Sequence, residues 1–218
     1  MIDRFFYFIT TFAEAGLAVF GLRGLYEQPA YSVRAALGNG LEIRDYPPSV
    51  AVQTSVVGPT REQAANAAFG LLFRYIAGDN EGGRTIAMTS PVRQDSALIA
   101  MTTPVRTDAA AEDGQVRVTM RFFLPARHAA NPPAPRNPQL ALATLPAVTV
   151  AALRFSGTAT DSVRAAKGAE LLARLATTEW RAAGEPYFLG YDPPFTIPML
   201  KRNEVAVALA QASVDAGS

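Results

Sequence analysis

A chain of 218 residues, 49% hydrophobic and 18% charged, is long enough for one large domain or two small ones and apolar enough to bury a sizeable core. Its formal net charge of +1, with no basic stripe, argues against a nucleic-acid binder, whose affinity rests on clustered Lys and Arg. Cysteine is absent and His128 is the single histidine, which excludes disulfides, thiol nucleophiles, thiolate metal sites and zinc centres built on several histidines.

The first predicted element is an apolar helix within residues 1–24. From Phe5 to Leu22, FFYFITTFAEAGLAVFGL carries one charge, Glu14, with Arg4 and Arg23 at its edges. That length is at the lower limit for crossing a bilayer. Asp3, Thr10 and Glu14 recur at helical spacing and make a polar stripe, as in helices that lie on a membrane surface. Docking on a membrane or a partner subunit, spanning the bilayer, and packing on the chain's own domain all stay open. The neutral leading residues and the lack of an A-x-A site argue against a secretory signal.

After a turn-rich link, LEIRDYPPSVAVQTSVV (41–57) predicts two extended stretches separated by Pro47-Pro48. Thr60-Arg-Glu-Gln63 is a capping box that opens a helix to about Ala77, with an apolar face of Ala65, Phe69, Leu72 and Ile76. GDNEGG (78–83) reads as a turn rather than a phosphate loop. IAMTSPVR (86–93) then returns as IAMTTPVR (99–106). The doubled phrase predicts a hairpin turning at Asp95-Ser96, with Met88 and Met101 on one face and Pro91 and Pro104 on the other. Core packing and a ligand-lining role are both open for the methionines. QVRVTMRFFLP (115–125) and AVTVAALRFSG (147–157) predict strands on either side of a proline-rich loop at 126–139. Thr160 opens a second helix to about Ala183, YFLGYDPPFTIPML (187–200) is broken extended chain, RNEVAVAL (202–209) is a last strand, and 210–218 is a disordered tail. Pro48-x-Val50-x-Val52 leads to Gly58, Thr60 and a helix; Pro146-x-Val148-x-Val150 leads to Gly157, Thr160 and a helix. A repeat of this kind predicts two similar halves forming a mostly antiparallel sheet, strongly curved or closed, with two helices on it.

Taken together, IAMTSPV with IAMTTPV, the helix ending LLFRYIAGDNEGG, the strand FFLP, and GYDPPF followed by KRNEVAV resemble the SOUL/haem-binding protein family over residues 27–209. The resemblance implies an α+β fold, a distorted antiparallel β-barrel of two pseudo-symmetric halves with two packed helices. It also implies a non-enzymatic binding protein for haem, another porphyrin or a related hydrophobic ring, acting in carriage, buffering or sensing. The alternatives are a sensor of non-haem small molecules, a protein-interaction module, or an enzyme acting on tetrapyrroles. The ligand-facing positions implied are Phe69, Phe73 and Arg74 on the first helix and Tyr191, Phe195, Met199 and Lys201 near the last strand. For Phe69 a core role is the preferred reading, and for Phe73 and Arg74 a structural role and a ligand-facing one are both open. Two basic positions of animal members correspond here to Asn66 and to Phe195-Thr196, and the axial histidine proposed for some members has no counterpart, so no clear metal ligand is implied. The expected location is cytoplasmic, peripheral to or anchored in a membrane through residues 5–22, with the periplasmic side left open.

Overall fold

The computed structural model describes residues 27–98, 115–192 and 196–210. The expected N-terminal helix, the second copy of the doubled phrase, Phe195 and the expected tail beyond Ala210 lie outside these residues. In chain order the elements are β1 (Ser32–Ala36), β2 (Leu41–Tyr46), β3 (Ser49–Gly58), helix α1 (Arg61–Ile76), β4 (Val92–Leu98), β5 (Val116–Phe123) and a single helical turn α2 (Ala126–Ala129). They continue with β6 (Ala141–Leu145), β7 (Val148–Phe155), helix α3 (Asp161–Ala176), β8 (Tyr187–Gly190), a 3₁₀ turn at Pro198–Leu200 and β9 (Asn203–Ala208). The described residues divide into two compact units, a middle unit within Ser49–Leu145 and a discontinuous unit made of those up to Pro48 and from Pro146 onward.

In the middle unit β3 is central, pairing antiparallel with β5 on one side and β6 on the other, and β4 pairs antiparallel with β5. Helix α1 starts where expected because the Thr60 hydroxyl accepts from the Gln63 N–H at 3.2 Å, satisfying one of the donors a helix start leaves over. Gly58 lets the end of β3 abut this helix, since a Cβ there would lie 3.2 Å from the Ala64 nitrogen. The helix buries Ala64, Ala65, Ala68, Leu72, Tyr75 and Ile76 against Val52, Val118, Met120 and Phe122 of the sheet. Asn80 organises the 78–83 turn from inside, its side-chain amide donating to Tyr75 O and Arg84 O at 2.8 and 2.7 Å.

The turn expected at Asp95-Ser96 does not form. Residues 92–98 run straight through that point as one strand, with Arg93 opposite Arg121 and Asp95 opposite Thr119. The Asp95 carboxylate explains the choice of partner, because it accepts from Arg93 Nη2 at 2.9 Å and from Arg121 Nη1 at 2.6 Å and so relieves two facing guanidiniums. Ile86–Met88 is irregular chain, not strand. There Ile86 is buried, its N–H donating to Ile76 O at 2.8 Å, and Met88 packs against the core.

The discontinuous unit has the strand order β1-β2-β7-β9-β8, antiparallel throughout. Helix α3, capped by the Thr160 hydroxyl accepting from Val163 N–H at 3.3 Å, lays Leu171 and Leu175 against Leu41, Ile43, Leu153, Val205 and Val207. It ends at Ala176 and not near Ala183. The Thr177 and Thr178 hydroxyls donate to Arg174 O at 2.8 Å and Leu175 O at 2.7 Å, so side chains satisfy the carbonyls that another turn would use. β1 and β6 were not foreseen. Among the described residues β1 pairs with β2 alone and β6 with β3 alone. Among the described residues the strands are therefore not closed on themselves, and the fold is α+β with antiparallel strand pairing; the expected distorted barrel is not confirmed.

Candidate functional site

Helix α1 turns one face to the core and leaves another bare. Asn66, Phe69, Gly70 and Phe73 stand at the i, i+3, i+4 and i+7 positions of one surface stripe. Phe69 is 36% and Phe73 39% exposed, high values for large apolar side chains. Their rings are stacked, with centroids 6.0 Å apart and planes 14° from parallel. Phe69 is held from beneath by buried Phe122, edge to face at 5.4 Å. Phe69 is thus partly covered, with one side on the core and the other exposed. Its expected companions Ala65, Leu72 and Ile76 are buried, so it marks the border of the core face.

Gly70 adds to this surface. A Cβ at that position would meet nothing within 4 Å, so packing does not demand glycine, although a mid-helix glycine costs about 1 kcal/mol relative to alanine. The position is open space on the same helix face as the two rings. Arg74, exposed in the last turn, and Asn66, exposed one turn before the rings, supply polar groups along the same face.

The other expected site residues belong to the discontinuous unit. Met199 is 77% exposed on the 3₁₀ turn and Lys201, half-buried, follows it. Tyr191 is buried, its hydroxyl donating to Glu204 Oε2 at 2.7 Å and its ring covered by the Arg202 guanidinium at 4.0 Å. Burial drives the Tyr191 phenol pKa well above its ordinary range, with the Glu204 charge adding to the shift. Thr196, one of the departures from the family pattern, is also buried.

Sequence reasoning missed a buried ionic cluster around Glu204, which is 0% exposed. Arg44, at 2%, grips it with Nη1 to Oε2 at 2.7 Å and Nη2 to Oε1 at 3.1 Å. Arg202 donates to Oε1 through Nη2 at 2.7 Å and Nε at 3.0 Å. Arg44 Nε also reaches Glu42 Oε2 at 2.8 Å. Burial opposes ionisation of Glu204, but the Arg44 hydrogen bonds and the charges of Arg44 and Arg202 outweigh it and hold the carboxyl below its usual range. The one available signal was a glutamate opening the otherwise apolar run EVAVAL. A charge on a central strand needs a buried partner.

His128 sits in α2, its Nε2 accepting from Arg127 Nε at 3.3 Å. Among the described residues no three His, Cys, Asp or Glu side chains gather as a metal site, and no helix is long and apolar enough to cross a membrane.

Residues 26–208 match the family described as "SOUL heme-binding protein". The chain is 28% identical over 168 residues to Heme-binding protein 1 of Xenopus tropicalis, covering 77% of this chain and 83% of that protein. It is 29% identical over 147 residues to Heme-binding protein 1 of Mus musculus, covering 66% and 70% respectively. The fold is similar to that of the EcmrR C-terminal domain, with a TM-score of 0.54 at 11% identity over 83% of this chain and 98% of that one. An uncharacterized conserved protein from Listeria innocua gives a TM-score of 0.51 at 11% identity, covering 80% and 94%. At such identities these two likenesses concern the fold alone.

Proposed function

The chain belongs to the SOUL heme-binding protein family, and from that premise we propose that it is a binding protein for haem or a related tetrapyrrole, with the bare face of α1 as the platform for the macrocycle. The observation that carries this reading is the exposed, stacked Phe69–Phe73 pair beside Gly70. A porphyrin presents a broad flat apolar face. Each aromatic ring it covers contributes about 0.5–1.5 kcal/mol beyond the area removed from water. The Arg74 guanidinium suits a propionate carboxylate, which its planar fork can hold through two charge-assisted bonds.

The donors on this face, Asn66 and Arg74, are hydrogen-bonding groups and not soft metal ligands. Recognition on α1 is therefore of the ring and its carboxylates, and haem and metal-free protoporphyrin IX should bind alike. In the discontinuous unit, Met199, Lys201 and Phe195 are proposed as further ligand contacts, to be tested separately, and Tyr191 as a support. Carriage or buffering of the pigment is the role we favour, with residues 5–22 proposed to bring the protein to a membrane surface or a partner subunit.

Titration followed by absorbance and tryptophan quenching tests the reading. Saturable binding of both haem and protoporphyrin IX is expected, and Phe73→Ala should weaken each about tenfold, the equivalent of about 1.4 kcal/mol. Absence of saturable binding for both ligands would remove the proposal. A second expectation concerns His128. Its substitution by alanine should leave the Soret position and the affinity of the haem complex unchanged; a coordination-type shift in the mutant spectrum would show that the iron, too, is recognised.

A further inference from the structure

We propose that Glu204 is a positioning residue for ligand binding: with Arg44, Arg202 and Tyr191 it clasps both ends of the segment between Tyr191 and Arg202 and so fixes where Met199 and Lys201 are presented. The inference rests on the reading of Met199 and Lys201 as ligand contacts. The ends of that segment are tied to each other several times over. Tyr191 N–H donates to Arg202 O at 3.3 Å, Arg202 N–H donates to Asp192 Oδ2 at 2.6 Å, and the Arg202 guanidinium lies over the Tyr191 ring. Both side chains then converge on one carboxylate, Tyr191 on Oε2 and Arg202 on Oε1. Arg44 fixes that carboxylate in turn from β2, using both oxygens. The 3₁₀ turn carrying Met199 has its own support, since Pro198 O accepts from Gly157 N–H at 2.9 Å and Gly157 O accepts from Asn203 Nδ2 at 2.8 Å.

Stability alone does not account for such a cluster. The same unit packs small and branched apolar residues around it, among them Ala152, Leu189 and Ala206, and well-packed apolar groups often stabilise as much as a buried ion pair does. What the ionic arrangement adds is direction. Five donated hydrogen bonds onto two oxygens admit one orientation of each partner. Contact residues carried on a chain segment that is already held in place cost less to order when a ligand binds.

The test is a mutant cycle in the full chain with protoporphyrin IX as the probe. Tyr191→Phe removes one hydrogen bond and keeps the ring; Arg202→Met removes the clasp while keeping bulk. Each is expected to weaken binding roughly three- to tenfold and to speed amide exchange at Lys201 and Arg202, and Arg202→Lys should recover part of the loss. In a Met199→Ala/Lys201→Ala background, neither change should weaken binding further, because the residues being positioned are gone. Additive losses in that background, or unchanged affinity for both clasp variants, overturn the positioning role while leaving the contacts in place. If Met199→Ala/Lys201→Ala by itself has no effect, the contact reading fails and takes the inference with it; the response of Phe73→Ala then shows whether the α1 platform stands alone.

Discussion

Glu204→Leu is expected to destabilise the protein by about 3–5 kcal/mol in urea unfolding, the cost of stranding a buried charge when its partner is removed. Arg44 is as deeply buried as Glu204, and Arg202 and the Tyr191 hydroxyl lose the same acceptor. The double variant Arg44→Met/Glu204→Leu should be milder than Glu204→Leu alone, because one stranded guanidinium is gone. A loss below about 1 kcal/mol for the single variant would mean that the guanidiniums find other partners. The pH dependence has a definite sign. A carboxyl held below its usual range in the folded state contributes stability above its unfolded pKa, near 4.3, and loses it as pH falls through the lower folded value. Wild type should therefore lose more stability than Glu204→Leu on acidification below about pH 4.

That cluster marks the boundary of what the amino-acid order discloses. Arg44 and Glu204 are 160 residues apart in sequence, and nothing local to either announces the other. Local signals were legible. Thr60 and Thr160 cap their helices with their own hydroxyls, and the alternating runs at 116–123 and 148–155 are strands. The doubled phrase misled because its likeness suggested a turn midway between the copies, at Asp95-Ser96. Residues 92–98 instead pair with β5, where Asp95 can serve Arg93 and Arg121 together. SVRAA and ALATL escaped notice because they are edge strands built largely from small or polar residues, with burial too slight to impose alternation. On α1 the family resemblance picked out Phe69 and Phe73 as candidates, whereas helical spacing put Phe69 on the apolar face with Ala65, Leu72 and Ile76. Period alone could not say that Phe69 would stand at the border of the core face, since this depends on where Phe122 lies.

Leu72→Ala should cost about 2–5 kcal/mol, through lost transfer energy and the cavity left behind. Leu72 is 0% exposed, in a cluster with Val52, Tyr75, Ile86, Val118 and Met120. That cluster draws on β3, β5 and the chain after α1, so little of it can move in to fill the space. Its neighbour in sequence should behave in the opposite way. Phe73 lies about 100° further round the helix, on the bare face, and Phe73→Ala should change the unfolding free energy by less than about 1 kcal/mol. Ligand affinity should reverse the ranking: per folded molecule, Leu72→Ala should bind protoporphyrin IX nearly as wild type does, whereas Phe73→Ala should not. Urea unfolding and fluorescence titration on the same two preparations decide the matter. Equal destabilisation by the two changes would place Phe73 in the core and remove the platform on α1.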